Sequence, residues 1–252
     1  MSYFIVIPAR HGSSRLPGKP LQKVTHKTLI QHVYECAQES NAKKIIIATD
    51  DERIEAESAS FSATVCMTST DHATGTDRLH EVVEKFEMAD DDIVVNLQGD
   101  EPLMPAEVIN QVAQNLADHP DASAATVCTR ITNADDLFDP NVVKVVTDQK
   151  GYALYFSRAS VPWDREHFAK HQTLPDMAEH YRHIGLYAYR AGFLKRFVTW
   201  PMCHHEKVES LEQLRILWHG EKIHVDIAKQ IPGPGIDTPE DLERVRHMFL
   251  DQ

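Results

Sequence analysis

Residues 3–20 read YFIVIPARHGSSRLPGKP, and the fold can be worked out from this stretch. YFIVIP is a continuous apolar run, as expected of a strand buried on both faces of a parallel sheet. Residues 9–20 then form a loop rich in Gly, Ser, Pro and cations, leaving the carboxyl end of that strand. Downstream, residues 28–40 carry Leu29, Ile30, Val33 and Ala37 on one helical side. KIIIAT at 44–49 is a second buried strand, 52–61 a helix, 64–67 a short strand and 76–86 a helix opened by Gly75. DIVVNL at 92–97 is a further strand, and 105–117 a helix with proline near its first turn. Strands alternating with helices at this spacing predict a doubly wound, Rossmann-like three-layer α/β/α sandwich. Ligands in such sheets sit at the carboxyl ends of the strands, which would bring the polar clusters 9–19, 71–78 and 98–102 to one rim.

The second half is less regular. Residues 143–147, 153–156, 184–189 and 222–228 read as strands, and 206–218 as one helix. The loop 232–239 leads into a last helix, 240–249, and the polar stretch 164–179 reads as a surface excursion. No Gly/Ser linker, repeat or low-complexity tract interrupts the chain, so residues 1–252 are expected to form one domain with an elaborated second half.

Composition narrows the class. With 26 Lys+Arg against 38 Asp+Glu the net charge is −12, unlike a general nucleic-acid or membrane-surface binder. No stretch approaches the roughly 20 apolar residues of a membrane span, and no basic leader precedes the first apolar run. Cys36, Cys66, Cys128 and Cys203 are widely spaced, without a C-x-x-C pair. A soluble, reduced, cytoplasmic protein is expected. Yet before the first acidic residue, Glu35, stand Arg10, Arg15, Lys19, Lys23 and Lys27. A cationic segment on an acidic chain suggests a site for a compact polyanion such as a nucleoside triphosphate. Lys23 and Lys27 read as solvated; Arg10, Arg15 and Lys19 lie among glycines and prolines at the strand end.

This loop is not a Walker A motif. Gly12 and Gly18-Lys19 are one residue too far apart, and Pro20 stands where Ser or Thr would ligate Mg²⁺. Asp100, at the tip of DIVVNL in QGDEP, has the hard carboxylate oxygens that suit Mg²⁺, which needs only one or two protein carboxylates. Asp237, in PGPGIDTPEDL, is a second candidate, although Asp-Thr-Pro-Glu is also a helix-opening signature. None of the 15 histidines falls into an H-E-x-x-H pattern, and no G-x-S-x-G elbow occurs. Most histidines therefore read as surface residues.

The segments IPARHGSSRLPGKPL, IATDDERI, MTSTDHATGTDRL, VVNLQGDEPL, KVVTDQKGYALYFSRASVPWDR, RHIGLYAYRAGFL, LEQLRILWHGEKIHV and PGIDTPEDLERV, in this order, resemble the 3-deoxy-D-manno-octulosonate (KDO) cytidylyltransferases, or CMP-KDO synthetases, almost end to end. Thr74 stands where serine is common in that family and keeps the hydroxyl. The resemblance implies a nucleotide-diphospho-sugar transferase type of fold, a homodimer, Mg²⁺, and conversion of CTP and KDO to CMP-KDO and pyrophosphate for lipopolysaccharide inner-core synthesis. It implies that Arg10, Arg15 and Lys19 contact the triphosphate and that Ala9, His72, Thr74, Gly75, Arg78 and Gln98 help hold the nucleotide. Asp100 and Asp237 would carry the metal. Gln98, Arg158, His183, Tyr187, Glu212 and Gln213 would line the sugar site, with Arg158 and His183 as partners for the KDO carboxylate. The implied catalytic set is Asp100, Asp237, Lys19 and Arg15, acting by positioning and charge neutralisation with no protein nucleophile. Residues 185–194, GLYAYRAGFL, are the expected dimer surface. The alternatives are a related acidic-sugar cytidylyltransferase, for 8-amino-KDO or a sialic acid, and a non-catalytic CTP-binding protein.

Overall fold

The computed structural model describes residues 2–12, 15–72, 74–170, 173–174 and 179–250. Among them β1 (Tyr3–Ala9), α1 (Leu29–Gln38), β2 (Lys44–Thr49), α2 (Glu52–Ser60), β3 (Thr64–Met67), α3 (Gly75–Lys85), β4 (Ile93–Asn96) and α4 (Ala106–Asp118) alternate as the periodicity predicts. The second half contributes β5 (Ala124–Arg130), α5 (Ala134–Phe138), β6 (Lys144–Thr147), β7 (Ala153–Ser157), β8 (Tyr181–Arg190), α6 (Ala191–Phe197), α7 (His204–Glu209), α8 (Gln213–Trp218), β9 (Ile223–Ile227) and α9 (Pro239–Leu250). Part of the 164–179 excursion lies outside the described residues.

The sheet runs β3-β2-β1-β4-β8-β5-β9. β1 is parallel to β2 and β4, and β2 to β3, so their carboxyl ends share one rim. β8 enters antiparallel to both neighbours: Ile93 pairs with Arg190 and Asn96 with Tyr187 on the β4 side, Ala124 with Tyr189 on the β5 side. The start of β8 pairs instead with β6, Lys144 opposite Arg182. Two apolar layers cover the sheet. One holds Ile5, Ile7 and Val95 against α1, α4 and α9; the other holds Phe4, Val6 and Val94 against α3, α6 and α8.

Two expectations are corrected. The helix read over 206–218 is two helices, because Ser210 takes a left-handed conformation (φ 52°) and turns Leu211 into the core. Residues 185–194 are no partner surface: Leu186, Tyr187, Tyr189, Phe193 and Leu194 are all buried. Most of the described histidines are at least partly exposed, as expected, with three exceptions. His32, His180 and His224 are buried, and His224 stacks on His119 with ring centroids 3.5 Å apart. β5, α5 and α6 were not anticipated from periodicity.

Candidate active site

β1 and β4 end side by side, and their loops meet the loop before α9. Lys19 follows Gly18, whose φ of 65° makes the turn that begins the Lys19–Leu21 3₁₀ segment. The Lys19 ammonium donates to Asp100 Oδ2 at 2.7 Å and to Asp237 Oδ1 at 3.0 Å, and Arg15 Nη2 lies 3.0 Å from the same Asp237 oxygen. Burial of Lys19 works against its charge, but Asp100 and Asp237 outweigh that and raise its pKa above the usual lysine value.

Asp237 is not the cap of α9. That role falls to Thr238, whose Oγ1 accepts from the Asp241 amide at 3.2 Å, while Asp241 Oδ2 accepts from the Thr238 amide at 3.0 Å. The Asp237 carboxylate is left to face Lys19. Among the described residues no three His, Cys, Asp or Glu side chains gather as a metal cage. Two hard carboxylates converging on one ammonium suit a small divalent cation that keeps most of its waters.

Three cavities meet at Gln98 on this rim. The first, about 380 Å³, is lined by Ala9, Arg10, Gly12, Arg15, Lys19, Gln98, Asp100 and Asp237. The second, about 130 Å³, joins Arg10 and Gln98 to His72, Thr74, Gly75 and Arg78. The third, about 230 Å³, has Gly75, Thr76, Asn96, Gln98, Gly185, Tyr187, Tyr189, Glu212 and Gln213 around it. Gln98 belongs to all three.

The walls are firmly held. Thr74 caps α3, its Oγ1 accepting from the Asp77 amide at 3.2 Å while its own amide donates to Asp77 Oδ2 at 3.0 Å. This capping box directs the first turn of α3, Gly75 and Thr76, toward the cavities. Buried Arg78 donates to Asp50 Oδ2 at 2.6 Å and to Thr68, so its guanidinium is anchored beneath the cavity it lines. His72 is tethered by Nε2 to Glu81, whose carboxyl is held at about 2 because Lys85, the Ser69 amide and His72 overcome its desolvation. Glu212 accepts from Thr76, and burial raises its pKa. The buried Glu206–Arg215 ion pair, Nε to Oε2 at 2.7 Å, fixes α7 against α8 and so sets Glu212 and Gln213.

Two residues expected at the sugar site line none of these three cavities. Arg158 gives Nε to the Glu209 carbonyl at 2.6 Å and Nη1 to the Pro140 carbonyl at 2.9 Å, and it lines none of the three cavities. His183 is half-buried and lines a neighbouring cavity with Arg182 and Gly185, and desolvation pushes its pKa down to about 3. Thr126 Oγ1 has one proton, spent on the Ile184 or Leu186 carbonyl at 3.0 or 2.8 Å, so it accepts from His183 Nε2 at 3.1 Å. A neutral ring in this tautomer offers Nδ1 as a lone pair, not a charge for a carboxylate. Asn96, Gly185 and Tyr189 were not foreseen; the one visible signal was an Asn inside the apolar run IVVN.

The cytidylyltransferase family signature matches residues 4–223. The chain is 56% identical over 252 residues to a 3-deoxy-manno-octulosonate cytidylyltransferase of Idiomarina loihiensis, covering 100% of each. It is 57% identical over 246 residues to one of Aliivibrio fischeri, covering 98% of each. Among solved structures it is similar to a CMP:2-keto-3-deoxy-manno-octonic acid synthetase complexed with CTP, at TM-score 0.90 and 41% identity, over 99% of this chain and 98% of that one. The likeness to 4-diphosphocytidyl-2C-methyl-D-erythritol synthase, at TM-score 0.64 and 12% identity over 98% of each chain, is one of fold.

Proposed function

The chain belongs to the cytidylyltransferase family, among the 3-deoxy-manno-octulosonate enzymes, and from that premise we propose how its site works. It transfers the cytidylyl group of CTP to KDO, giving CMP-KDO and pyrophosphate. The observation that carries this reading is Gln98, which lines all three cavities, so that a nucleotide and an acceptor in neighbouring compartments meet at one side chain.

Arg10, Arg15 and Lys19 hold the triphosphate, Lys19 trading carboxylate for phosphate oxygens. The first turn of α3, with His72 and Arg78, holds the nucleoside part. Tyr187, Glu212, Gln213 and Gln98 receive the sugar, whose anomeric hydroxyl attacks the α-phosphorus in line with departing pyrophosphate. Mg²⁺ is the proposed cofactor, with Asp100 and Asp237 as its protein ligands. When bound it supplies charge neutralisation on the phosphates and acidifies the attacking hydroxyl. The chain's own part is positioning: no side chain forms a covalent intermediate.

A single domain, a cytoplasmic location and a role in lipopolysaccharide assembly accompany this reading. No helix among the described residues is long and apolar enough to cross a membrane. We also place a homodimer contact on α7 and α8, where Val208 and Trp218 are exposed and His205 meets Trp218 ring to ring at 5.1 Å. The reaction is tested by pyrophosphate release from CTP, and from ATP, with KDO, 8-amino-KDO and a sialic acid. Turnover with CTP and KDO above the other pairs is expected; release with a sialic acid alone would overturn the choice of acceptor.

A further inference from the structure

Asn96 is the last residue of β4, after Ile93, Val94 and Val95, and it is 4% exposed. Its Oδ1 has no hydrogen-bond partner. Directly opposite in the β4–β8 register stands Tyr187, 6% exposed, and its hydroxyl too is without a partner. The nearby Thr126 hydroxyl is engaged by a backbone carbonyl and by His183, and makes no well-formed hydrogen bond to Tyr187. Buried polar atoms are almost always satisfied, and leaving two unpaired at one point destabilises the fold. An apolar side chain at position 96 would complete the strand's pattern.

Both groups line the 230 Å³ cavity, whose lining includes no Lys, Arg or His. Its floor bears an additional mark. Gly185 lies within β8 where the pairing with β5 slips between Thr126 and Val127, and a Cβ there would meet nothing within 4 Å. A mid-strand glycine costs stability, and here it keeps the cavity open. Donors and acceptors without cations match hydroxyl groups and do not match a carboxylate or phosphate.

Resting on the acceptor reading above, we propose that Asn96 is a specificity-determining residue: with Tyr187 it hydrogen-bonds hydroxyls of the polyol part of the acceptor sugar, in a recess kept open by Gly185. The sugar carboxylate then lies outside this recess.

The test is Asn96→Val and Gly185→Ala, assayed with KDO varied at saturating CTP and the reverse, with thermal melts with and without each substrate. Asn96→Val should raise KM for KDO about ten- to a hundredfold, leave KM for CTP within about twofold, and keep or raise the melting temperature. Gly185→Ala fills open space, so it should fold normally and show the same split. KDO-induced thermal stabilisation should shrink in both variants while that by CTP persists. An unchanged KM for KDO in the two folded variants, or equal rises for both substrates, overturns the proposal. An Asn96→Val chain that does not fold marks a structural asparagine unless Gly185→Ala alone shows the split. If the wild-type chain turns over a sialic acid in place of KDO, the acceptor reading fails, and the same split measured with that sugar still decides Asn96.

Discussion

Lys19 and Asp237 lie 218 positions apart in the chain, yet the Lys19 ammonium stands 3.0 Å from the Asp237 carboxylate. With Asp100 at 2.7 Å on its other side, and Arg15 3.0 Å from Asp237, two cations face two carboxylates carried by separate loops. The rim is therefore charge-balanced before any substrate arrives.

Lys19→Met removes that balance. A charge-assisted contact is worth about 1.5–3 kcal/mol, so kcat/KM should fall about ten- to a hundredfold. The melting temperature should drop in EDTA and recover on adding Mg²⁺, as a divalent ion takes over between the carboxylates. Arg15→Ala, at an exposed side chain with one carboxylate contact, should cost about tenfold or less in kcat/KM. Steady-state kinetics and melts in both conditions check this; wild-type kinetics in Lys19→Met would remove it from the site.

Asp100→Asn and Asp237→Asn should each nearly abolish turnover, since Mg²⁺ depends on few protein carboxylates. Because Thr238 caps α9, Asp237→Asn should leave the melting temperature within a few degrees of wild type. A Mg²⁺ titration of turnover beside thermal unfolding separates ligand from cap. An active Asp237→Asn would sink its role as a ligand.

Glu206→Gln should destabilise the chain by about 3–5 kcal/mol, because Arg215 would remain buried without its counter-ion. Activity should fall with it, as α8 carries Gln213 into the cavity proposed to receive the sugar. Urea unfolding gives the stability; a loss below about 1 kcal/mol would show that the pair is dispensable.

Burial lowers the pKa of His32, His183 and His224 in the folded chain, that of His183 to about 3. The unfolded chain then binds protons near pH 6.5 that the folded chain does not. Stability is therefore complete above about pH 6.5 and declines as the solution is acidified, by up to about 1.4 kcal/mol per pH unit for each such histidine. His183 keeps contributing to that decline down to about pH 3. Urea midpoints between pH 7.5 and pH 5 should fall, and less steeply in His183→Gln; parallel curves for the two chains would refute the assignment to His183.

Light scattering at micromolar concentration should give about twice the 28.6 kDa of one chain. Trp218→Glu, an exposed position on α8, should return it to the single-chain mass without lowering secondary-structure content. A dimer that survives this substitution places the contact elsewhere.

The first half of the fold was legible because β1, β2 and β4 are apolar runs buried in the sheet and the helices between them show apolar sides. The break between α7 and α8 was not, since Leu211 and Leu214 are both buried and carry the helical period straight through Ser210. Glycine would have marked that left-handed turn; serine does not. The cationic rim was readable because five cations precede the first acidic residue of a chain with net charge −12. Asp237 was ambiguous because Asp and Thr are both good caps, and only the hydrogen bonds assign the capping to Thr238. Arg158 and His183 were named by likeness, whereas their partners are carbonyls of Glu209 and Pro140 and the hydroxyl of Thr126. Asn96 was hidden in plain apolar company.

The antiparallel strand β8 also governs how the molecule can be made. It closes the open edge of β4 through Ile93–Arg190 and Asn96–Tyr187, pairings that wait for most of the chain. Until Arg190 has been synthesised, β4 presents an unpaired, strongly apolar edge, the kind of template on which nascent chains associate. Pairing over such separations is slow to form. The two halves are thus not separable modules: truncation before β8 would yield a sticky fragment, and the wall on which Asn96 faces Tyr187 comes into being only when the late half docks on the early one.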